Sequence, residues 1–160
     1  MNKDLSFFIH KLEDNGLLTF DVIGDSEEHF NNRLKIQKYV YLAKYFGLDL
    51  GYNFDMYLHG PYSSKLTSSY YDIARKNIDL KSIDGNIGDS FKENEFFNYV
   101  ANKDKEWLKV ASTLLELSSH YSDKECLIEK TLNAKPHIEK EKVIRTLNEL
   151  QNSNLLVIYN

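Results

Sequence analysis

The stretch YNFDMYLHGPYSSKL, residues 52–66, decides how the chain is read. Tyr52, Phe54, Met56 and Leu58 alternate with Asn53, Asp55, Tyr57 and His59. Strict alternation predicts a half-buried strand with the first set inward and the second set outward. Gly60-Pro61 follows. Proline presets a turn and biases the residue before it towards extended backbone, so the pair reads as the structural turn that ends the strand. Ser63 or Ser64 then caps a new helix that turns Leu66, Tyr70 and Ile73 inward. The expected result is a stiff strand-to-helix corner that holds Tyr57, His59 and Tyr62 outward.

The segment before this corner, Arg33 to Phe46, reads as a helix with apolar side chains in every direction. Leu34, Ile36, Tyr39, Val40, Tyr41, Leu42, Ala43 and Phe46 leave no clean polar face, as expected for a helix at the centre of a fold. Further towards the start, Leu5, Phe8, Ile9 and Leu12 recur at helical spacing and Asn15-Gly16 stops that helix. Leu17 to Ile23 is a short apolar piece, read as extended, and residues 24–28 read as a polar, acidic loop.

Beyond the corner, residues 84–89 are turn-rich and mark a subdomain boundary nearby. Trp107, Val110, Leu114, Leu117 and Tyr121 define an amphipathic helix. Ser122 and Glu125 have capping-box spacing and start the next helix, which stops before Pro136. A last helix buries Val143, Leu147 and Leu150, and Leu155–Tyr159 reads as a strand. Helix, helix, helix, strand is the order of a winged-helix unit, and the first part of the chain has a similar order. The fold class expected is α+β, mostly helical, with winged-helix-like halves and a short β-sheet. The division expected is a helical and strand subdomain over 1–90 and a winged-helix-like subdomain over 91–160, packed as one globular unit.

Composition narrows the function classes. The 160 residues carry a formal net charge of −4, and neither half is basic, so nothing favours nonspecific binding to phosphate backbones. The single cysteine, Cys126, has no internal disulfide partner, and no apolar run approaches the length of a membrane span. A soluble protein of a reducing cytoplasm is the simplest expectation, with no membrane partner.

The chemistry-bearing residues do not assemble into a catalytic set. His10, His29, His59, His120 and His137 include no pair at i and i+4 and none at ligand spacing from the cysteine, so no metal site is expected. Cys126 near a helix start reads more simply as a small apolar packer than as a nucleophile. Ser63 lacks a nucleophile-elbow motif. No catalytic residues and no cofactor are expected, and the chain is read as not an enzyme; a hydrolase centred on His59 is the weakest of the readings.

Nucleic acid is the stronger competitor. Arg33, Lys35, Lys38 and Lys44 occur with no acidic residue among them. On a helix, however, Arg33 and Lys44 fall within about 20° of each other while Lys35 and Lys38 lie on nearly the opposite side. The last helix mixes Lys140, Glu141, Lys142, Arg145 and Glu149, which suits a solvated face better than a phosphate track. A DNA-binding winged-helix regulator is the alternative reading. The first reading is a protein-binding patch made by Asp55, Tyr57, His59, Tyr62 and Ser63 with Gln37 and Lys38 nearby, because tyrosine offers contact area at low entropy cost.

RLKIQKYVYLAKYFG (33–47) followed by YNFDMYLHGPYSSKL resembles the YwgA-like and phage-associated proteins and, more distantly, the SocA-like antitoxin (Panacea) domain. The resemblance rests on Gln37-Lys38, Tyr41-Leu42, Tyr57, Gly60-Pro61-Tyr62-Ser63 and Leu66. It covers residues 33–75 well, with a weaker match from Glu106-Trp107-Leu108 through Ala134-Lys135-Pro136 to the last helix and strand. It implies a compact, mostly helical domain. For the SocA-like members it implies a protein that neutralises a toxin by direct binding or serves as a proteolytic adaptor. The expected function is therefore a non-enzymatic binding protein of the antitoxin-like class that docks a protein partner.

Overall fold

The segment with apolar side chains all round becomes the longest helix of the protein. In the computed structural model, which describes residues 3–83, 85 and 87–158, α2 spans Glu27–Ala43 and buries Leu34, Ile36, Tyr39, Val40, Tyr41, Leu42 and Ala43. It starts six residues earlier than the apolar pattern suggests. Ser26 is the N-cap: its hydroxyl accepts the His29 backbone N–H, and His29 Nδ1 accepts the Ser26 N–H in return. Glu27 and Glu28 lie in the first turn, where carboxylates suit the positive end of the helix dipole. The acidic segment read as loop is thus largely the helix start.

The fold is mostly helical α+β, with seven α-helices and one two-stranded antiparallel sheet among the described residues. The order is α1 (Lys3–Asp14), α2, β1 (Asp55–Tyr57), β2 (Gly60–Tyr62), α3 (Ser64–Arg75), α4 (Glu93–Val100), α5 (Lys105–Ser118), α6 (Lys124–Ala134) and α7 (Lys140–Asn152). Short 3₁₀ turns occur at Lys44–Phe46 and Leu80–Ser82. Leu17 to Ile23 has no strand pairing.

The chain divides into two compact units, 1–54 with 63–103, and 55–62 with 104–160. This corrects the expected boundary near residue 90 in two ways. The C-terminal unit begins after Lys103, because α4 turns Phe96, Phe97 and Val100 into the core of the first unit. Phe96 there meets the rings of Phe8, Tyr39, Phe46, Phe91 and Phe97 at centroid distances of 5.1–6.4 Å. The hairpin 55–62, moreover, belongs with the C-terminal helices although it lies far from them in sequence.

Within the first unit, α1 packs on α3 and α2 packs on α3. Gly47, at φ 93°, closes the 3₁₀ turn after α2. A Cβ there would collide with the Ser90 carbonyl oxygen, so only glycine lets the 90–92 segment lie against the turn. Lys92 N–H donates to the Phe46 carbonyl at 2.8 Å and completes that contact.

In the second unit α5, α6 and α7 pack on one another and β2 packs on α5. Of the apolar positions expected of these helices, Trp107, Val110 and Leu114 on α5 and Val143, Leu147 and Leu150 on α7 are buried, while Leu117 is half-buried and Tyr121, also half-buried, lies beyond the end of α5. The N-cap of α6 is Asp123, one residue after the expected Ser122; its carboxylate accepts the Cys126 N–H. Residues 155–158 form no strand, and Tyr159 of the expected strand lies outside the described residues. After α7 the chain turns at Asn154, in left-handed backbone at φ 62°, and tucks Leu156 into the core. The sheet of this unit comes from residues 55–62 instead.

Candidate functional site

Residues 55–62 form a hairpin rather than a corner. Asp55 pairs with Tyr62, Met56 with Pro61 and Tyr57 with Gly60. The reversal is made by Leu58 and His59, so Gly60 and Pro61 are not the turn: both are buried residues of β2. Proline is tolerated there for a definite reason. Met56 and Pro61 are the pair that exchanges no hydrogen bonds, since Pro61 has no N–H to give, and the flanking pairs carry the ladder. Gly60, at φ 102°, takes a backbone conformation that side chains disfavour.

Tyr57 and Tyr62, diagonal across the two strands, meet edge-to-face with centroids 5.2 Å apart and planes at 70°. Asp55, directly opposite Tyr62, lies on the same face. Tyr57 remains 56% exposed and Tyr62 is partly exposed. The inward set expected from alternation does not hold beyond Phe54. Tyr52 is buried, but Met56 is 37% and Leu58 80% exposed, the latter because it sits at the tip of the turn. His59, the other turn residue, is half-buried. The structure therefore brings Asp55, Tyr57 and Tyr62 together, with the exposed apolar Met56 and Leu58 beside them.

Lys135 secures the tip. It follows α6 directly, is buried to 2% exposure, and donates from Nζ to the Leu58 carbonyl at 2.6 Å. Burial pushes its pKa down to about 8, and the nearby Lys109 ammonium acts in the same direction. Lys109, on α5, is itself lowered by burial and by Lys105, with Glu106 opposing. No described carboxylate pairs with Lys135. The hairpin is thus held by β2 on α5 and by a buried cation on the turn.

Three expected contact residues lie elsewhere, in the interior of the first unit. Gln37 is buried, and its side-chain amide clamps the backbone of Ser63: Oε1 accepts the Ser63 N–H at 2.9 Å, while Nε2 donates to the Ser63 carbonyl at 2.9 Å and to Thr67 Oγ1 at 3.0 Å. Ser63 is buried and acts as the N-cap of α3, its hydroxyl accepting the Leu66 N–H. Lys38 is buried at 2% exposure. Gln37, Lys38 and Ser63 are therefore not surface contacts. The first two lie on a helix surrounded by core, and the third fixes the start of another helix.

The basic residues of α2 and of the turn after it are dispersed as well. Arg33 donates to the carbonyls of Val22 and Gly24, Lys44 lies over the Phe54 ring, and Lys38 is buried. At the head of α2, Ser26 Oγ lies 2.6 Å from His29 Nδ1 and His29 Nε2 lies 3.2 Å from Asp21. Hydrolases use the same three residue types, but here the hydroxyl and the ring are both engaged by backbone N–H groups of the first turn, so the set closes the helix end. Among the described residues no group of three or more His, Cys, Asp or Glu side chains is placed to hold a metal ion, and no helix is long and apolar enough to cross a membrane. No family model matches the chain, and searches among curated proteins and among solved structures return no match.

Proposed function

We propose that the chain is a non-enzymatic binding protein of the antitoxin-like class, which docks a protein partner through the hairpin Asp55–Tyr62. The observation that carries this reading is the pairing of exposure with rigidity. Met56, Tyr57 and Leu58 stand in solvent on a hairpin fixed by β2 on α5 and by the Lys135 ammonium. A tyrosine already oriented by a neighbouring ring loses little entropy on binding, which is the property of an interface anchor. Asp55, Tyr57 and Tyr62 form the contact face, with His59 at its edge.

DNA binding has less support. On α7, the helix that a winged-helix regulator would lay on DNA, Lys142 lies 3.0 Å from Glu106 and 3.9 Å from Asp104, which engages the central one of its three cations. The test is recovery of a partner from the source organism by the tagged wild type, Tyr57→Ala and His59→Ala. Loss of the partner with Tyr57→Ala, and a smaller loss with His59→Ala, is expected. Unchanged recovery by folded variants would remove the hairpin from the account.

A further inference from the structure

We infer that two copies of the chain pair β1 to β1 about a two-fold axis, so that the docking face is a four-stranded sheet to which each copy contributes Asp55, Tyr57 and Tyr62. This rests on the hairpin-docking reading above and deepens it. The first support is an open edge. All three residues of β1 are exposed, whereas Gly60 and Pro61 of β2 are buried. Met56 and Pro61 form the pair without hydrogen bonds, so the Met56 N–H and C=O point away from β2. No other described residue engages either group. An unbonded N–H beside an unbonded C=O on an exposed edge is what an added strand requires. The other edge of the hairpin is unsuited to this: Pro61 has no donor, and β2 packs on α5.

The register favours a second copy over a foreign strand. Outward groups recur at alternate residues, so the next after Met56 on the turn side belong to Leu58, whose carbonyl is already held by Lys135. β1, three residues long, therefore offers one free donor and acceptor, and a longer foreign strand finds no further partner within it. An antiparallel pairing of two β1 strands centred on Met56 uses that donor and acceptor from each copy in two mutual bonds. Neighbouring registers are worse. A shift one way sets Asp55 against the second copy's Asp55, like charge opposite like charge. A shift the other way needs the occupied Leu58 carbonyl. In the Met56 register, Asp55 of each copy faces Tyr57 of the other, and no like charges are opposed. Met56, 37% exposed, meets its own counterpart across the axis. On the other face, the Tyr57–Tyr62 ring pair of one copy runs on through Asp55 into the ring pair of the other.

Sedimentation equilibrium of the whole protein tests this. Wild type should pass reversibly from monomer to dimer between micromolar and near-millimolar concentration, as a short edge contact allows. Met56→Pro should raise the dimer Kd at least about tenfold, because it removes the outward donor and leaves the internal ladder intact. Tyr57→Glu should raise it about tenfold, since it sets a carboxylate against Asp55 twice per dimer, and Tyr57→Lys should not. Should Met56→Pro unfold, the two Tyr57 variants still decide. A wild type that stays monomeric throughout this range, a dimer indifferent to Met56→Pro and Tyr57→Glu, or equal weakening by Tyr57→Glu and Tyr57→Lys would overturn the inference. If wild type is monomeric and Tyr57→Ala still loses its partner, docking by the hairpin stands and self-pairing falls. Dimerisation with partner recovery unchanged by Tyr57→Ala would keep self-pairing and remove docking.

Discussion

Gln37 in the first unit and Lys135 in the second are both buried polar side chains that grip backbone, yet they do opposite things to the fold. Gln37 is neutral, and its amide finds Ser63 N–H, Ser63 C=O and Thr67 Oγ1. Every strong group at that junction is satisfied, so the contact stabilises the start of α3. Lys135 is a cation with one carbonyl acceptor and another lysine for a neighbour. It orders the hairpin while opposing the folded state. The two junctions separate a residue that serves stability from one that holds an exposed element at a cost in stability.

The sharpest test of the contrast is Gln37→Leu. It strands the buried Ser63 N–H and takes one donor from the Ser63 C=O, which keeps the Thr67 N–H, and should destabilise the protein by about 2 kcal/mol in urea unfolding. A loss under about 1 kcal/mol would show that the clamp does little.

Lys135→Met should go the other way and stabilise by about 1–2 kcal/mol at pH 7, by removing an uncompensated buried charge. The same variant should speed amide exchange at Leu58–Gly60, because the turn loses its anchor. The pH dependence follows in sign. The folded pKa of Lys135 is about 8 against 10.5 unfolded, so between those values the unfolded chain binds more protons and wild-type stability rises with pH. Tyr39, buried, is pushed up to about 12, so above pH 10 the unfolded chain releases its proton first and stability falls. Wild type should therefore show a stability maximum near pH 10. Lys135→Met should lose most of the rise, keeping the part that the lowered Lys109 contributes, and keep the fall. A wild-type profile flat from pH 8 to 10 would contradict the placement of Lys135.

Tyr57→Ala should have the smallest effect on stability, under about 1 kcal/mol, since it removes one edge-to-face contact from an exposed face. A larger loss would make Tyr57 a structural residue and weaken its role as a contact.

Sequence patterning identified the elements whose signal is local. The all-round apolar character of α2, a serine cap at Ser63 or Ser64 and the periodic faces of α5 and α7 are each written within one helix. It missed features that depend on a distant partner. The hairpin escaped because its turn, Leu58-His59, contains no glycine or asparagine, while Gly60-Pro61 imitates a breaker. Pro61 shows its place in a strand only once its pairing register is known. The head of α2 had a usable signal, Ser26 with His29 three residues on, obscured because His29 fills the position more often held by Glu or Gln. Gln37 had one as well: an amide on a helix with apolar side chains on every side points to a buried polar partner, though not to Ser63. Nothing around Lys135 foretold that its ammonium would reach a carbonyl 77 residues away.

Site-specific photo-crosslinking in the source organism tests the central claim most directly, with a benzophenone side chain placed at Tyr57 and, for comparison, at exposed Glu129 on α6. The account predicts one defined protein adduct from position 57 and none of that size from position 129. The absence of any adduct at position 57, or the same set of adducts from both positions, would contradict it.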